Sequence, residues 1–401
     1  MILYKVSQST KKVNQWEAYA VDDSVYTAYG ELGGKIIESS YTAKAKNIGR
    51  SNATTPEAQA ALEVEAMIKA QKDNKHYCET IDEAISNSEV SYEPRKIKNY
   101  KDFGDRMSDV LYTTVKLNGS RACIIDSEMY SKIGIKEDVK VPHIKECIKK
   151  LSDLGFHNMD CEIYAHGVPL QRIRSAWTKP NKTEKDIIKL QKAAAKKKGI
   201  KYKEGEDYLG YDPLKDVSSL QICVFDIPDR TNMPYERRLG LMGELECGVV
   251  DAGLRQHFHF LYPITTESKG EREAVLNSVV SKGFEGLVHY EPNGVYEFGK
   301  RSMNTQKQKP RYDSEAYVKG IKKVAKDNTV VFLCETNEEM GSLEFASGVN
   351  APKESCTMEA IGDWVGKWVN YQYEELSSSG KPTKPRIIGL RDCDKDGNPL
   401  N

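Results

Sequence analysis

Four short β-like runs in this chain carry a charged or reactive group at or near their ends: VKLNGSR with Lys116, MDCEIY with Glu162, FEGLVHY with Glu285, and TQKQKP with Lys307 and Lys309. Alternating apolar and polar residues over such short windows describe strands buried on one face. Charges at the ends of several strands act together only if those strands gather around one site. The feature therefore asks for sheets with a shared polar rim. Further strand-like runs, RACIIDS and QICVFDIPD, alternate with amphipathic helices such as VPHIKECIKKLSDLG, ending on Gly155, and YERRLGLMGELEC. The reading is a multidomain α+β chain.

At 401 residues the chain exceeds one ordinary core, and two or three domains are expected. Residues 1–95 read as a β-meander, with Asp-Asp and Gly-Gly turns inside NQWEAYAVDDSVYTAYGELGGKIIESSYTA, followed by one helix. That helix is expected to start with Thr55 as N-cap, Pro56 as first helical residue and Glu57 as an early acid. The polar stretch SNSEVSYEPRKIKNY links this head to residues 96–312, where strands and helices mix. Residues 313–401 hold short β-like runs, AYVKGIKKVA, NTVVFLCETN, KWVNYQYEEL and PRIIGLRDCD, which predict a small β-barrel.

Formal net charge is zero, so any anionic partner has to be met by local patches. Nine cysteines are scattered without a CxxC, which reads as reduced thiols in a cytoplasmic protein. The longest apolar runs are too short to span a membrane, and the first residues lack a signal-peptide layout. The lysine-rich stretch 183–207 reads as a solvated helix face and loop. HFHF places His257 and His259 on one strand face without a second ligand pair for zinc, and Trp177 and Trp364 read as core.

A lysine amine acts as a nucleophile only when deprotonated, and its ordinary pKa is roughly 10.4. Nearby cations or a metal ion lower that value. A nucleoside triphosphate is a suitable electrophile once its charge is neutralised. Lys307 and Lys309, two apart on a strand, are expected to face one pocket and hold triphosphate oxygens. Glu162 and Glu285 suit a ribose hydroxyl and a divalent metal respectively, and Gly119 allows the backbone to approach a ligand closely. Taken singly, each run is an ordinary surface feature. Their joint occurrence in this order is not.

The series resembles the covalent nucleotidyltransferase superfamily, and within it the ATP-dependent DNA ligases of compact phage and viral type. KLNGSR is similar to motif I, KxDGxR; DCEIY to motif III; VFDI to motif IIIa; EGLVHY to motif IV; and KQK to motif V. HGVPLQRIRSAW and NGVYEFGKRS are also similar to ligase sequences, and the resemblance spans about residues 105–312. RIIGLRDCDK stands as the candidate motif VI, through Arg391, Asp392 and Lys395. Asn118 departs from the pattern, standing where ligases usually have Asp. This keeps an RNA ligase as an alternative; a capping-type transferase and an inactive nucleic-acid-binding relative are the others.

The resemblance implies a reaction and roles. Lys116 would form a lysyl-AMP with ATP, in the presence of Mg2+ or Mn2+. AMP would pass to a DNA 5′-phosphate and leave when a 3′-hydroxyl attacks, sealing nicked duplex DNA. Thr114 and Val115 would lie by the adenine, Phe225 would stack on it, and Glu162 would bind the ribose. Arg121 would contact ribose and nick, and Glu285 would place the metal. Lys307 and Lys309 would hold the phosphates and depress the Lys116 pKa. Residues 96–312 would be the antiparallel-sheet adenylation domain and 313–401 an OB-fold, acting as a monomer. The head resembles a WGR domain through Trp16, Tyr29 and Gly30, with Glu31 where an arginine is expected. Lys44, Lys46 and Arg50 in the head, with Arg121 and Arg301, are the expected DNA contacts.

Overall fold

The strands begin where alternation begins. In the computed structural model, residues 1–7, 10–88, 92–324, 329–377, 379–392 and 400 are described. They divide into two units, residues 1–275 with 281–308, and residues 276–280 with 309–401.

The first unit opens with β1 (Ile2–Val6), β2 (Val13–Val21), β3 (Ser24–Glu31) and β4 (Ile36–Thr42), paired in that order as an antiparallel meander. Helix α1 (Pro56–Lys75) follows. The Thr55 side chain accepts a hydrogen bond from the Ala58 N–H, Pro56 occupies the first turn, and Glu57 adds negative charge where the helix dipole is positive. Leu3, Trp16, Ala18 and Val25 from the sheet bury against Ala60 and Val64 of α1.

The next elements are α2 (Ile81–Ser86), β5 (Lys96–Asn99), α3 (Tyr100–Phe103), β6 (Leu111–Lys116), β7 (Ser120–Ile125), β8 (Glu128–Tyr130), α4 (Pro142–Asp153) and β9 (Met159–Tyr164). They continue through α5 (Leu170–Thr178), α6 (Glu184–Lys197), α7 (Pro213–Ser218), β10 (Gln221–Asp226), α8 (Tyr235–Asp251), β11 (Phe258–Phe260), β12 (Ile264–Thr266), α9 (Lys269–Ser281), β13 (Gly286–Tyr290) and β14 (Arg301–Gln308). Two five-stranded sheets result, in the orders β11-β10-β9-β7-β8 and β12-β6-β13-β14-β5. Pairing is antiparallel except at two edge pairs, β10–β11 and β14–β5. The main core joins the first sheet to its helices: Met159, Cys161 and Ile163 of β9 and Ile222 and Val224 of β10 share one cluster with Ile144 and Leu151 of α4, Trp177 of α5 and Met242 and Leu245 of α8. Because strand side chains alternate, Asp160 and Glu162 point away from that core.

The second unit is a closed barrel. Its strands are β15 (Tyr312–Val324), β16 (Val330–Thr336), β17 (Glu344–Val349), β18 (Trp368–Tyr373) and β21 (Arg386–Leu390), in the order β15-β16-β17-β21-β18. Helix α10 (Met358–Ile361) and a ribbon of β19 (Glu375–Leu376) and β20 (Pro382–Thr383) complete it. Val318, Phe332, Cys334, Val369, Tyr371 and Ile387 fill the interior. Trp364 packs partly buried against this core and stacks on Phe332, 6.0 Å between centroids. β17 is not foreseen from the sequence: EFASGV is short, and its Ser and Gly are poor strand formers. Among the described residues no helix is long and apolar enough to cross a membrane.

Candidate functional site

Lys116 is the last residue of β6, the strand between β12 and β13. It sits opposite Gly286 of β13, so Glu285, one residue before that strand, arrives beside it. The Glu285 N–H donates to the Lys116 carbonyl at 3.0 Å, and Lys116 Nζ donates to Glu285 Oε2 and, at 3.3 Å, to the Leu117 carbonyl. The Lys116 side chain is 22% exposed and that of Glu285 12%.

The chain then turns through Leu117, Asn118 and Gly119 into β7. Gly119 is needed for a different reason from the one its spacing suggests. A Cβ there would lie 2.5 Å from the Ile163 carbonyl and 2.6 Å from Glu162 Cγ, so the close approach is to β9. The Gly119 N–H donates to Glu162 Oε1 at 3.1 Å. That bond ties the lysine loop to the acid.

Glu162 has a pKa raised to about 7. Burial disfavours its charge and outweighs the pull of Lys116 and Arg121, while Glu285 adds to the upward push. Phe225 stands at a β-bulge: Val224 pairs with Cys161 and Asp226 with the adjacent Asp160, leaving Phe225 as the extra residue. Its ring reaches the pocket, with the Arg121 guanidinium carbon 4.9 Å from the centroid. Arg121 is engaged within the fold, its Nε donating to Asp160 Oδ1 at 2.6 Å and its Nη2 to Asp160 Oδ2.

Beneath these groups lies a network that sequence reasoning missed. Asp226 accepts from Arg238 Nε at 2.7 Å and from Arg95 Nη2 at 2.8 Å, with all three side chains at most 2% exposed. Tyr296 donates its hydroxyl to Asp160 at 2.6 Å, and the Arg95 guanidinium lies 4.8 Å from the Tyr296 ring centroid. One signal was available: Asp160 and Glu162 are two apart on a strand and must share a face.

Lys116, Thr114, Val115, Arg121, Glu162 and Phe225 line one pocket of about 450 Å³, mouth included. Val115, Leu117, Phe225, Leu261 and Val288 give it apolar walls. Two buried polar atoms on this lining, Thr114 Oγ1 and Arg95 Nε, have no hydrogen-bond partner among the described residues. Apolar walls with a few unsatisfied polar atoms suit a purine base. Among the described residues no group of three or more His, Cys, Asp or Glu is placed to hold a metal ion. Glu285 and Glu162 are nonetheless close enough to interact, and magnesium is usually held by one or two carboxylates plus substrate phosphates.

The remaining expected residues stand elsewhere. Lys307 pairs with Val288 in register, and Val288 with Thr114, which sets Lys307 on the pocket side of the sheet. β14 ends at Gln308, so Lys309 does not share the strand with Lys307; it lies in the second unit, where its amine meets Glu374 at 2.9 Å. Arg301 is exposed at the start of β14. In the head, Lys44 and Arg50 are exposed, and Lys46 pairs with Glu63 of α1 at 2.8 Å. Trp16 is buried, Tyr29 is exposed, and Glu31 pairs with Lys12 at 2.7 Å. Arg391 pairs with Glu315 at 2.7 Å, Asp392 is exposed, and Lys395 lies outside the described residues. His257 belongs to a short turn before β11, its ring tilted against that of His143 at 4.9 Å between centroids, so it does not share a strand with His259.

Fold and pocket together define a class: a mixed α/β protein whose pocket is lined by a lysine paired with one carboxylate, Glu285, and by a second carboxylate, Glu162. Residues 94–309 match the family model for the ATP dependent DNA ligase domain, and the chain belongs to that family. It is therefore an enzyme of a family whose reaction proceeds through a covalent adenylate. A structure from work on DNA binding by Lig E DNA ligases with a minimal scaffold is similar at a TM-score of 0.54 and 19% identity, over 75% of this chain and 100% of that one. One described as Pmar-Lig_PreS3 is similar at a TM-score of 0.55 and 16% identity, over 84% of this chain and 73% of that one. At such identities the likeness concerns the fold. No curated protein matches in sequence.

Proposed function

We propose that this chain seals nicks in duplex DNA, with Lys116 as the nucleophile. The reading is carried by one observation: Lys116, held by Glu285, and Glu162 line a pocket whose apolar walls and Thr114 hydroxyl, without a hydrogen-bond partner among the described residues, suit a purine nucleotide. In the first step a bond forms between Lys116 Nζ and the α-phosphorus of ATP as the α–β bridging bond breaks, releasing pyrophosphate. The Lys116 amine needs its lone pair for this, and Glu285, already in contact with Nζ, holds it in place. Phe225 stacks on the base, Glu162 takes the ribose hydroxyls, and Lys307, on the pocket side, neutralises phosphate charge. Arg121, fixed by Asp160, presents its remaining edge to ribose and nick. A divalent cation held by Glu285 and the phosphates would stabilise the charge that develops on the phosphate oxygens. AMP then passes to the 5′-phosphate, and the 3′-hydroxyl displaces it.

Within this reading residues 1–95 act as a WGR-like DNA-contacting head, save that Arg95 is buried against Asp226 of the following domain, 96–312 act as the adenylation domain, and 313–401 as an OB-fold with Arg391 and Asp392 in its motif VI. The four-stranded meander with its capped helix and the closed five-stranded barrel support these assignments. Lys44, Lys46 and Arg50 precede α1, where phosphates are favoured, and Arg301 adds a contact on the ligase core. We also propose that the chain acts as a cytoplasmic monomer.

The test is incubation with labelled ATP and magnesium, followed by denaturing electrophoresis. Label must stay on the chain and vanish in Lys116→Ala; equal labelling of the variant would falsify the assignment. Nicked duplexes with DNA or RNA on each side address Asn118. Preferential sealing of RNA ends would overturn the DNA assignment. Removal of residues 1–88 is expected to weaken nick binding while self-adenylation persists.

A further inference from the structure

A groove lined by none of the nucleotide-pocket residues gathers positive charge. It is bordered by α4, the end of α5 and α6, and holds about 1830 Å³ of space open to solvent. Lys140, Lys145, Lys179, Lys182 and Lys189 line it, against only Asp138 and Asp186. Five lysines and two acids leave a formal charge of +3 on the lining of a chain whose total is zero.

Asp186 offsets part of this charge, since Lys179 and Lys189 act on it through space, and the excess of lysines remains. Asp186 is committed to the capping box of α6, accepting from the Thr183 N–H at 2.9 Å and hydroxyl at 2.7 Å. None of the five lysines forms an ion pair among the described residues. Nearby, Lys136 pairs with Glu128 at 3.0 Å and Lys150 with Glu146 at 2.9 Å. The excess of lysines around one groove raises the local potential and attracts an anion with several charges.

The groove continues onto α6. Lys185, Lys189, Lys192 and Lys196 follow one another at spacings of four, three and four, so they form one exposed stripe. At 1.5 Å per residue the stripe is about 16 Å long, or nearly five steps of a duplex at roughly 3.4 Å each. The other side of the helix is anchored. Gln191 Oε1 accepts from the N–H groups of Tyr208 at 2.6 Å and Leu209 at 3.1 Å, and Ala195 is buried. The stripe therefore keeps a fixed direction, as a linear polyanion requires. Lys182 is part of the scaffold, donating to the carbonyls of Ser175 at 3.2 Å and Lys179 at 2.8 Å.

We propose that the groove and the lysine face of α6 form an additional DNA-contacting surface, which takes the sugar–phosphate backbone of the duplex away from the nick. This rests on the ligase reading and extends the contacted duplex beyond the nucleotide pocket. Contacts of this kind are indifferent to sequence. They position the duplex and add affinity through counterion release.

The experiment combines Lys140→Gln, Lys145→Gln, Lys179→Gln and Lys189→Gln in the full chain, leaving Lys182 intact. Self-adenylation by labelled ATP is expected to match wild type, because none of these residues lines the nucleotide pocket. Binding to a nicked DNA duplex, measured against salt, is expected to lose about 2–3 from its log–log slope, and affinity at ~0.15 M salt to fall roughly tenfold or more. An unchanged slope and affinity overturns the proposal. So does a groove that binds a polyglutamate peptide while the DNA slope stays the same. If the fourfold variant does not melt like wild type, Lys185→Gln, Lys192→Gln and Lys196→Gln read the same slope from the stripe. Failure of the ligase reading is separate, since wild type itself would then take no label and seal no nick.

Discussion

Replacing Glu162 by Gln should stabilise the nucleotide-free protein, and do so only above a certain pH. The folded carboxyl has a pKa of about 7 against an ordinary value of 4.5. Below pH 4.5 it is protonated in both states and contributes no difference. Between pH 4.5 and 7 the unfolded chain ionises while the folded one holds its proton, so stability falls as pH rises. Above pH 7 both are ionised and the loss is complete. A shift of that size corresponds to about 3 kcal/mol at 1.36 kcal/mol per unit; with partial solvent access about 2 kcal/mol is a fair expectation. Gln cannot ionise, yet it keeps an oxygen for the Gly119 N–H. Glu162→Gln and wild type should therefore melt together at pH 4 and separate by roughly 4 °C at pH 8, the variant higher. Thermal melts at half-unit pH intervals without nucleotide follow this, with self-adenylation run in parallel and expected to drop. A variant less stable than wild type at pH 8, or a gap independent of pH, would refute the argument that burial of an ionisable group sets this cost.

Three further perturbations follow from the same geometry. Thr114→Val removes a buried hydroxyl that has no partner among the described residues, so it should raise stability by about 1 kcal/mol while weakening ATP binding, read by denaturation and by titration with ATP. Gly119→Ala inserts a Cβ 2.5 Å from the Ile163 carbonyl. It should cost about 1–3 kcal/mol and depress self-adenylation beyond what the stability loss explains, since it moves the loop after Lys116. Asp226→Asn leaves Arg95 and Arg238 buried without a carboxylate, and a loss of about 3–5 kcal/mol is expected in urea denaturation.

The sequence carried much of this protein in local form. Thr55, Pro56 and Glu57 announce α1 because capping is a contact among near neighbours. The period-two pattern of MDCEIY already separates Met159, Cys161 and Ile163 from Asp160 and Glu162. The last ninety residues show most of their barrel strands by the same alternation. β17 escaped because its register is set by β16 and β21, which supply the partners that its own residues barely request. The lysine stripe of α6 was visible as composition, but a run of lysines does not say whether acids lie opposite.

Along the chain alone, order and residue type determined that Lys116 is the nucleophile candidate and which acids accompany it, because those signals sit in short strands with one buried face. The tertiary structure decided what each neighbour does. It assigned Gly119 to close packing against β9, fixed Arg121 on Asp160, and set Lys309 against Glu374 beyond the end of its strand. It also built the Asp226 network and the unbalanced groove. These depend on which strands and helices become neighbours. Their energies come from desolvation and charge pairing between residues far apart in sequence, and no local pattern encodes that distance.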